Sequence, residues 1–402
     1  MKIISFYDLN NYKLIKEKDK NNRDIRLYSF DNVELTGNSH HYPDVLLKTD
    51  ELILPTKEMT MSLGKRSYYE ENGMEFDYKE GMKKKIINDE VFYFIYNTEN
   101  YYHFIYDTLP YLYCFFQLKE VKLLMNYNKD KNKILPFVKE CLELCGIDNN
   151  KIIIHEEGNI YKKIYLSSSL THNGLSNLPP RDEIFDIYNL MIKNVKKVDF
   201  NVYDKIYISR RTWINDKKND NIGTNYTLRR KLMNEDELVE KLEKKGFKEI
   251  FGENLTINEK ILIFNSARVV IGAIGGTITN CIFCNKNALI IPIVSPEFLK
   301  INYRMKYLFK ENVELFQDTK VHLEEGKIPK NVRIETNDNK LGEIESYSGN
   351  GNYLIKIGKN YIGWNENDEY ELIEINESKF KTLDNGINSP WTINTNKLLA
   401  LL

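Results

Sequence analysis

The sequence predicts an α/β protein made of two doubly wound, Rossmann-like domains and a small β-rich C-terminal part. Three observations carry that expectation. Apolar strand patterns alternate with amphipathic helix patterns in two successive series, as parallel sheets with crossover helices require. After about residue 330 the pattern changes to short alternating runs with Asn-Gly turns, as in antiparallel hairpins. At 402 residues the chain exceeds one ordinary core, so two or three domains are expected.

Taken in order, residues 1–90 carry short β-like runs such as "DELILP" between polar turns, and go with the first domain. The first domain proper is expected over 91–197. "VFYFIYN" reads as a strand, and the next segment as a helix running through "YLYCFFQL". "VKLLMNY" is a strand and "LPFVKECLELCGI" an amphipathic helix. "NKIIIHE" and "KIYLSSS" are buried strands, and "RDEIFDIYNLMIKNV" closes the series as a helix. The second domain is expected over 198–325. "DKIYISR" is a strand. "MNEDELVEKLEKKGF" is a helix with Asn234 as cap, acids in its first turn and Gly246 past its end. "KEIFG", "RVVIGAIGG" and "NALIIPIV" are strands. "TINEKILIFNSA" is a capped helix between the first two, and "TITNCIFC" continues as a helix after the glycine turn. Residues 330–402 are expected to form the small β-rich domain.

Composition is that of a globular chain, 42% hydrophobic and 29% charged. A formal net charge of −1 gives no global field to recruit nucleic acid. Five cysteines, an odd number, fit free thiols in a reducing compartment. The N-terminal residues lack the apolar run of a signal peptide, and no stretch approaches the roughly 20 apolar residues of a spanning helix. A soluble, cytoplasmic protein is expected.

Three constellations could carry chemistry. In "NTENYYHFIYDTLP", Asn100, His103 and Asp107 share one face of a helix amid aromatic residues. A His and an Asp four residues apart suit a general base and its partner, whereas a buried helix whose polar groups satisfy one another is the bland alternative. Pro110 should end or kink that helix near Asp107. In "IYISRRTW", Arg210 and Arg211 follow a buried-type strand at its carboxyl end, where open α/β sheets bind ligands. Only eleven arginines occur in the chain, and Arg229 and Arg230 fall nearby. Arginine suits bidentate phosphate contacts. In "VVIGAIGGTITN", a strand turns through Gly275 and Gly276 into Thr277, with Thr279 and Asn280 on the next turn. Such a turn can present backbone amides to a diphosphate, although many α/β turns use glycine for φ > 0 alone. Cys281/Cys284 and Cys141/Cys145 both sit in amphipathic patterns, where core packing is the simpler role than zinc. His40, His41 and His172 lack partner spacing. No Asp-x-Asp supplies paired carboxylates for a metal-bound nucleotide. No metal site is expected.

Together, "NYYHFIYDTLPYL", "YISRR", "NEDELVEKLEKKGF" and "INEKILIFNSARVVIGAIGGTITNCIF" resemble glycosyltransferase family 61, over roughly residues 91–300. The resemblance implies a GT-B arrangement, with an acceptor-side first domain and a donor-side second domain. It implies an inverting hexosyl- or pentosyltransferase, metal-independent, that uses a UDP- or GDP-linked sugar as co-substrate and no separate cofactor. The acceptor would be a glycan or glycoconjugate. By the same resemblance Arg210 and Arg211 are diphosphate candidates, and Gly275, Gly276, Thr277 and Asn280 line the donor turn. Asn100, His103 and Asp107 face the cleft from the first domain. The chain departs from the family pattern at Ile274, Thr277 and near Pro292. Asp107 is the favoured base, with His103 as its partner or as the base itself. The alternative from another class is a non-catalytic carbohydrate-binding or assembly protein of the same fold, whose β-rich tail could bind partners or mediate oligomers.

Overall fold

The computed structural model describes residues 3–5, 9–36, 46–48, 52–54, 85–127, 132–156, 158–171, 178–196, 201–211, 232–296, 298–301, 303–309, 312–321, 343–347, 352–357, 360–365 and 391–402. His40, His41, His172, Arg229 and Arg230 lie outside the described residues.

Two sheets organise the chain. The first has nine strands: β1 (Ile3–Ser5), β2 (Tyr12–Lys16), β3 (Ile25–Thr36), β4 (Leu46–Lys48), β5 (Leu52–Leu54), β6 (Lys85–Tyr93), β7 (Lys122–Met125), β8 (Ile152–Ile154) and β9 (Asn159–Ser167). Their order is β1-β5-β4-β3-β9-β6-β7-β8, with β2 also paired to β3. Strands β9, β6, β7 and β8 are mutually parallel. Val91, Phe92 and Tyr93 are fully buried, and Leu123, Leu124 and Met125 beside them likewise. Strands covered on both faces read as continuous apolar runs, which is why this part was legible. The α/β class holds. The expectation of a doubly wound first sheet is corrected to a mixed one, because β3 adds antiparallel to β9 and brings β2 and β4 with it. Residues 155–158 also leave no room for a crossover helix between β8 and β9.

The second sheet contains β10 (Lys205–Ile208), β11 (Lys248–Ile250), β12 (Val269–Ala273) and β13 (Leu289–Ile293), all parallel, in the order β11-β10-β12-β13. Successive strands therefore leave β10 in opposite directions, and the order reverses between β10 and β12. Helix α1 (Pro136–Leu144) and helix α2 (Ile184–Asn194) belong to the first half. Helix α3 (Glu235–Glu243) and helix α4 (Ile257–Ser266) connect the strands of the second. Thr256 and Glu259 form the reciprocal cap expected of α4. Asn234, expected to cap α3, makes no capping bond. Its side-chain amide instead pairs with the backbone of Ile393, accepting at 3.1 Å and donating at 2.9 Å. Two backbone partners on a neighbouring strand outcompete one helix N–H.

One hydrophobic core runs through both halves. It joins the first sheet, the segment after β6, α1, α2, α4 and one face of the second sheet. Each fully buried Leu, Ile or Phe there contributes roughly 1.5–3 kcal/mol. The other face of the second sheet packs a separate cluster, with Leu238 and Leu242 of α3 against Trp391, Ile393 and Leu398. These last residues come from the C-terminus. Strand β14 (Thr319–Val321) pairs antiparallel with β18 (Trp391–Ile393), and helix α5 (Thr395–Leu399) follows. Between them β15 (Glu343–Tyr347), β16 (Asn352–Ile357) and β17 (Asn360–Asn365) form an antiparallel three-stranded sheet. So the end of the β-rich stretch packs on the second sheet.

Candidate functional site

The segment after β6 is helical but not a regular helix. It runs as an α turn at Tyr101–His103, a π turn at Phe104–Thr108, a 3-10 turn at Leu109–Tyr111 and an α turn at Leu112–Phe115. Pro110 does not end it. In the π turn the amide of Leu109 donates to the carbonyl of Phe104, five residues back. Pro110 has no N–H to give the next carbonyl, that of Ile105. The Tyr188 hydroxyl of α2 donates to that carbonyl at 2.8 Å. The widened turn thus absorbs the proline without breaking the run.

The start of the segment is fixed by side-chain caps. The Asn97 Oδ1 accepts from the amides of Glu99 and Asn100 at 3.2 and 3.0 Å. Asn100 then caps the first turn, accepting from the amide of His103 at 3.3 Å. Asn100 therefore holds the helix start.

One turn later, His103 Nδ1 lies 2.7 Å from Asp107 Oδ2. Asp107 is 1% exposed, whereas the His103 side chain is 21% exposed. The other carboxylate oxygen of Asp107 accepts from Thr171 Oγ1 at 3.3 Å and from Arg304 Nη2. Arg304 belongs to a 3-10 segment, Tyr303–Leu308, that follows β13, and its guanidinium also lies over the Tyr106 ring. Burial works against the Arg304 charge, but Asp107 outweighs it and the guanidinium is held more firmly protonated than usual. The Asp107 carboxylate is thus shared between a guanidinium and an imidazole. With Asp107 ionised, Nδ1 donates to it, and the lone pair of the neutral imidazole sits on Nε2.

The second constellation lies at the carboxyl ends of β10 and β12, where the strand order reverses. Open α/β sheets place ligand crevices at such points. Arg210 follows β10 and is buried. Its backbone amide donates to Glu235 Oε1 at 2.6 Å, and Tyr207 donates to the same oxygen at 2.8 Å. Its Nε has no hydrogen-bond partner among the described residues. Burial pulls the Arg210 guanidinium below its ordinary pKa, against the nearby Glu235. Burial likewise pushes the Glu235 carboxyl up, against the hydrogen bonds from Arg210 and Tyr207. Arg211 is placed differently. Its guanidinium forms a fork with Glu249 at 2.9 and 2.6 Å and a third bond to Asp236 at 2.7 Å.

Gly275 stands against Arg210. A Cβ there would lie 2.9 Å from Arg210 Nη1, while one on Gly276 would meet nothing within 4 Å. Neither glycine has φ > 0. Gly275 is there to make room for Arg210, not for its backbone conformation. Thr277 opens a 3-10 segment, Thr277–Phe283, and lies tightly against Gly252, where a Cβ would come 2.1 Å from Thr277 Cγ2. Asn280 is fully buried and turned towards the first half. It accepts from the Tyr101 hydroxyl at 2.6 Å and donates to the Thr277 carbonyl at 2.8 Å. Tyr101 thereby ties the His103 segment to the glycine turn. Lys260 of α4 sits over the same Tyr101 ring at 4.6 Å.

Residues 101–291 match the family model Glycosyltransferase 61. This is the family that the motifs resemble, and the matched span holds His103, Asp107, Arg210 and the glycine turn together. The glycosyltransferase 61 match makes donor and acceptor substrates the relevant chemistry. No curated protein matches the chain. Among the described residues no group of three or more His, Cys, Asp or Glu could hold a metal ion, and all five cysteines are buried free thiols. Nor is any described helix long and apolar enough to cross a membrane.

Sequence reasoning missed Arg304, Thr171 and Glu235. Arg304 lies 197 residues from Asp107 and outside the glycosyltransferase 61 match, so no local spacing announced it. In the sequence Glu235 is only an acid in a helix's first turn. Only the fold shows that it turns inward to the backbone of Arg210.

Proposed function

We propose that this protein is an inverting glycosyltransferase of GT-B type, moving a sugar from a nucleotide diphosphate to a hydroxyl of a glycan or glycoconjugate. The observation that carries the reading is Arg210. It is a buried arginine at the strand-order reversal of a parallel sheet, seated against a glycine, with a donor nitrogen that nothing described satisfies. A phosphate oxygen is a partner that such a group suits.

The acceptor hydroxyl attacks the anomeric carbon from the face opposite the diphosphate. The new C–O bond forms as the bond to the leaving oxygen breaks, which inverts the configuration. The hydroxyl proton passes to His103 Nε2, and Asp107 keeps the imidazole oriented and steadies its positive charge. Arg210 and the amides around Gly275, Gly276 and Thr277 take up the charge that grows on the diphosphate, the role a divalent cation fills in other sites. Asn280 supports the donor turn from behind, and Arg211 braces the end of β10 against Glu249.

The test is a thermal-shift panel of UDP- and GDP-sugars on the wild type and on Arg210→Met. At a hundred times Kd, binding stabilises the folded chain by about 2.7 kcal/mol. At least one nucleotide sugar is expected to raise Tm by several degrees in the wild type, and the shift should vanish in Arg210→Met. No shift with any donor, or an undiminished shift in the variant, rejects the reading.

A further inference from the structure

We infer that Arg304 is a positioning residue that controls the protonation of the His103–Asp107 pair from the opposite half of the molecule. The inference rests on the proposed transfer reaction for its functional meaning, but not for its test.

The geometry divides the Asp107 carboxylate between an imidazole and a guanidinium. Oδ2 faces His103 Nδ1 at 2.7 Å, and Oδ1 takes Arg304 and Thr171. Asp107 is 1% exposed and the Arg304 side chain 11%, so water screens neither. Among the described residues, Tyr102 and Tyr106 on the same segment and Tyr188 on α2 also feel Asp107. Burial pushes all three hydroxyls up, and they stay neutral. Arg23 and Tyr307 act in turn on Tyr106. Arg304 forms a direct ion pair with the carboxylate.

A buried carboxylate that loses its cation holds a proton more tightly, either on itself or on the imidazole beside it. The pair would then keep its proton to higher pH, and His103 would be a worse acceptor at neutral pH. Arg304 follows β13 in the half that carries Arg210, whereas His103 and Asp107 follow β6 in the other. The base is thus set by a contact that exists only when the two halves are seated together.

The experiment follows the imidazole C2–H of His103 by NMR across a pH series. The chain has six histidines, and the signal is assigned by its loss in His103→Gln. In Arg304→Met the titration midpoint should rise by one pH unit or more, while Arg304→Lys should stay within about 0.3 unit of wild type. Arg304→Gln keeps a hydrogen-bond donor without the charge, and should rise as well if the Met variant fails to fold. An unmoved midpoint in a folded Met or Gln variant overturns the inference. The acidic limb of the transfer rate separates the two readings. If the midpoint rises and the limb follows, both stand. If the midpoint rises and the limb does not, Arg304 keeps its role and His103 is not the base.

Discussion

One Asp107 carboxylate oxygen accepts from Thr171 and Arg304, and the other faces His103. In the proposed reaction His103 takes the proton and Asp107 holds the imidazole. Replacing His103 by Gln is expected to lower the transfer rate by about 10²–10⁴-fold at saturating donor, leaving nucleotide affinity intact. Asp107→Asn should cost no more than that, since the imidazole survives. Steady-state rates of the two variants under one donor concentration decide it, and a His103→Gln enzyme at wild-type rate would end the assignment. The spacing of His103 and Asp107 was legible because a helix repeats every 3.6 residues. Arg304 was not, because contacts between distant segments leave no period in a sequence. Arg210 and Arg211 look alike on paper, yet one is aimed at a glycine and the other is consumed by Glu249 and Asp236.

The helical segment between β6 and β7 owes its shape to one proline and one tyrosine. The sequence predicts that Pro110 ends or kinks the helix near Asp107, and the distortion found there is a π turn. The chain keeps going because the π turn shifts the register by one residue and Tyr188 satisfies the carbonyl left over. Tyr188→Phe should therefore destabilise the fold by about 1–3 kcal/mol, the cost of a buried unsatisfied carbonyl. Adding Pro110→Ala restores an N–H that can reach Ile105, so the double variant should lose less than the sum of the singles. Urea melts of the four proteins measure the coupling, and strict additivity would refute the account. Helix α4 was legible to its cap because Thr256 and Glu259 are local partners. Asn234 was not, because its partner, Ile393, lies far along the chain.

At the scale of the molecule, both halves share one core and meet around Tyr101, Asn280 and Lys260. A further bond crosses nearby, from the amide of Ile257 to Glu140 at 2.6 Å. Burial pulls the Lys260 ammonium down to about 8, against the attraction of Cys141 and Glu140. An unfolded lysine keeps its proton to about pH 10.4, so between 8 and 10.4 the unfolded chain binds more protons than the folded one. The buried charge thus costs stability in full below pH 8, and that cost fades as the pH rises through the window. Lys260→Met should melt higher than wild type at pH 7, and the gap should narrow by pH 10. A gap that is constant or widens contradicts the sign. The two parallel strand series were legible as buried apolar runs. The mixed edge of the first sheet was not, since which strand pairs with which depends on residues far apart.

The pairing of β14 with β18 has a practical meaning for building with this chain. Val321 and Trp391 are direct cross-strand partners, so the polypeptide departs and returns at one spot on the second sheet. The three strands β15, β16 and β17 all fall between those two partners in the sequence. A short hairpin turn could close the gap, and a different appendage could be spliced there, while Trp391 and Leu398 went on sealing the outer core.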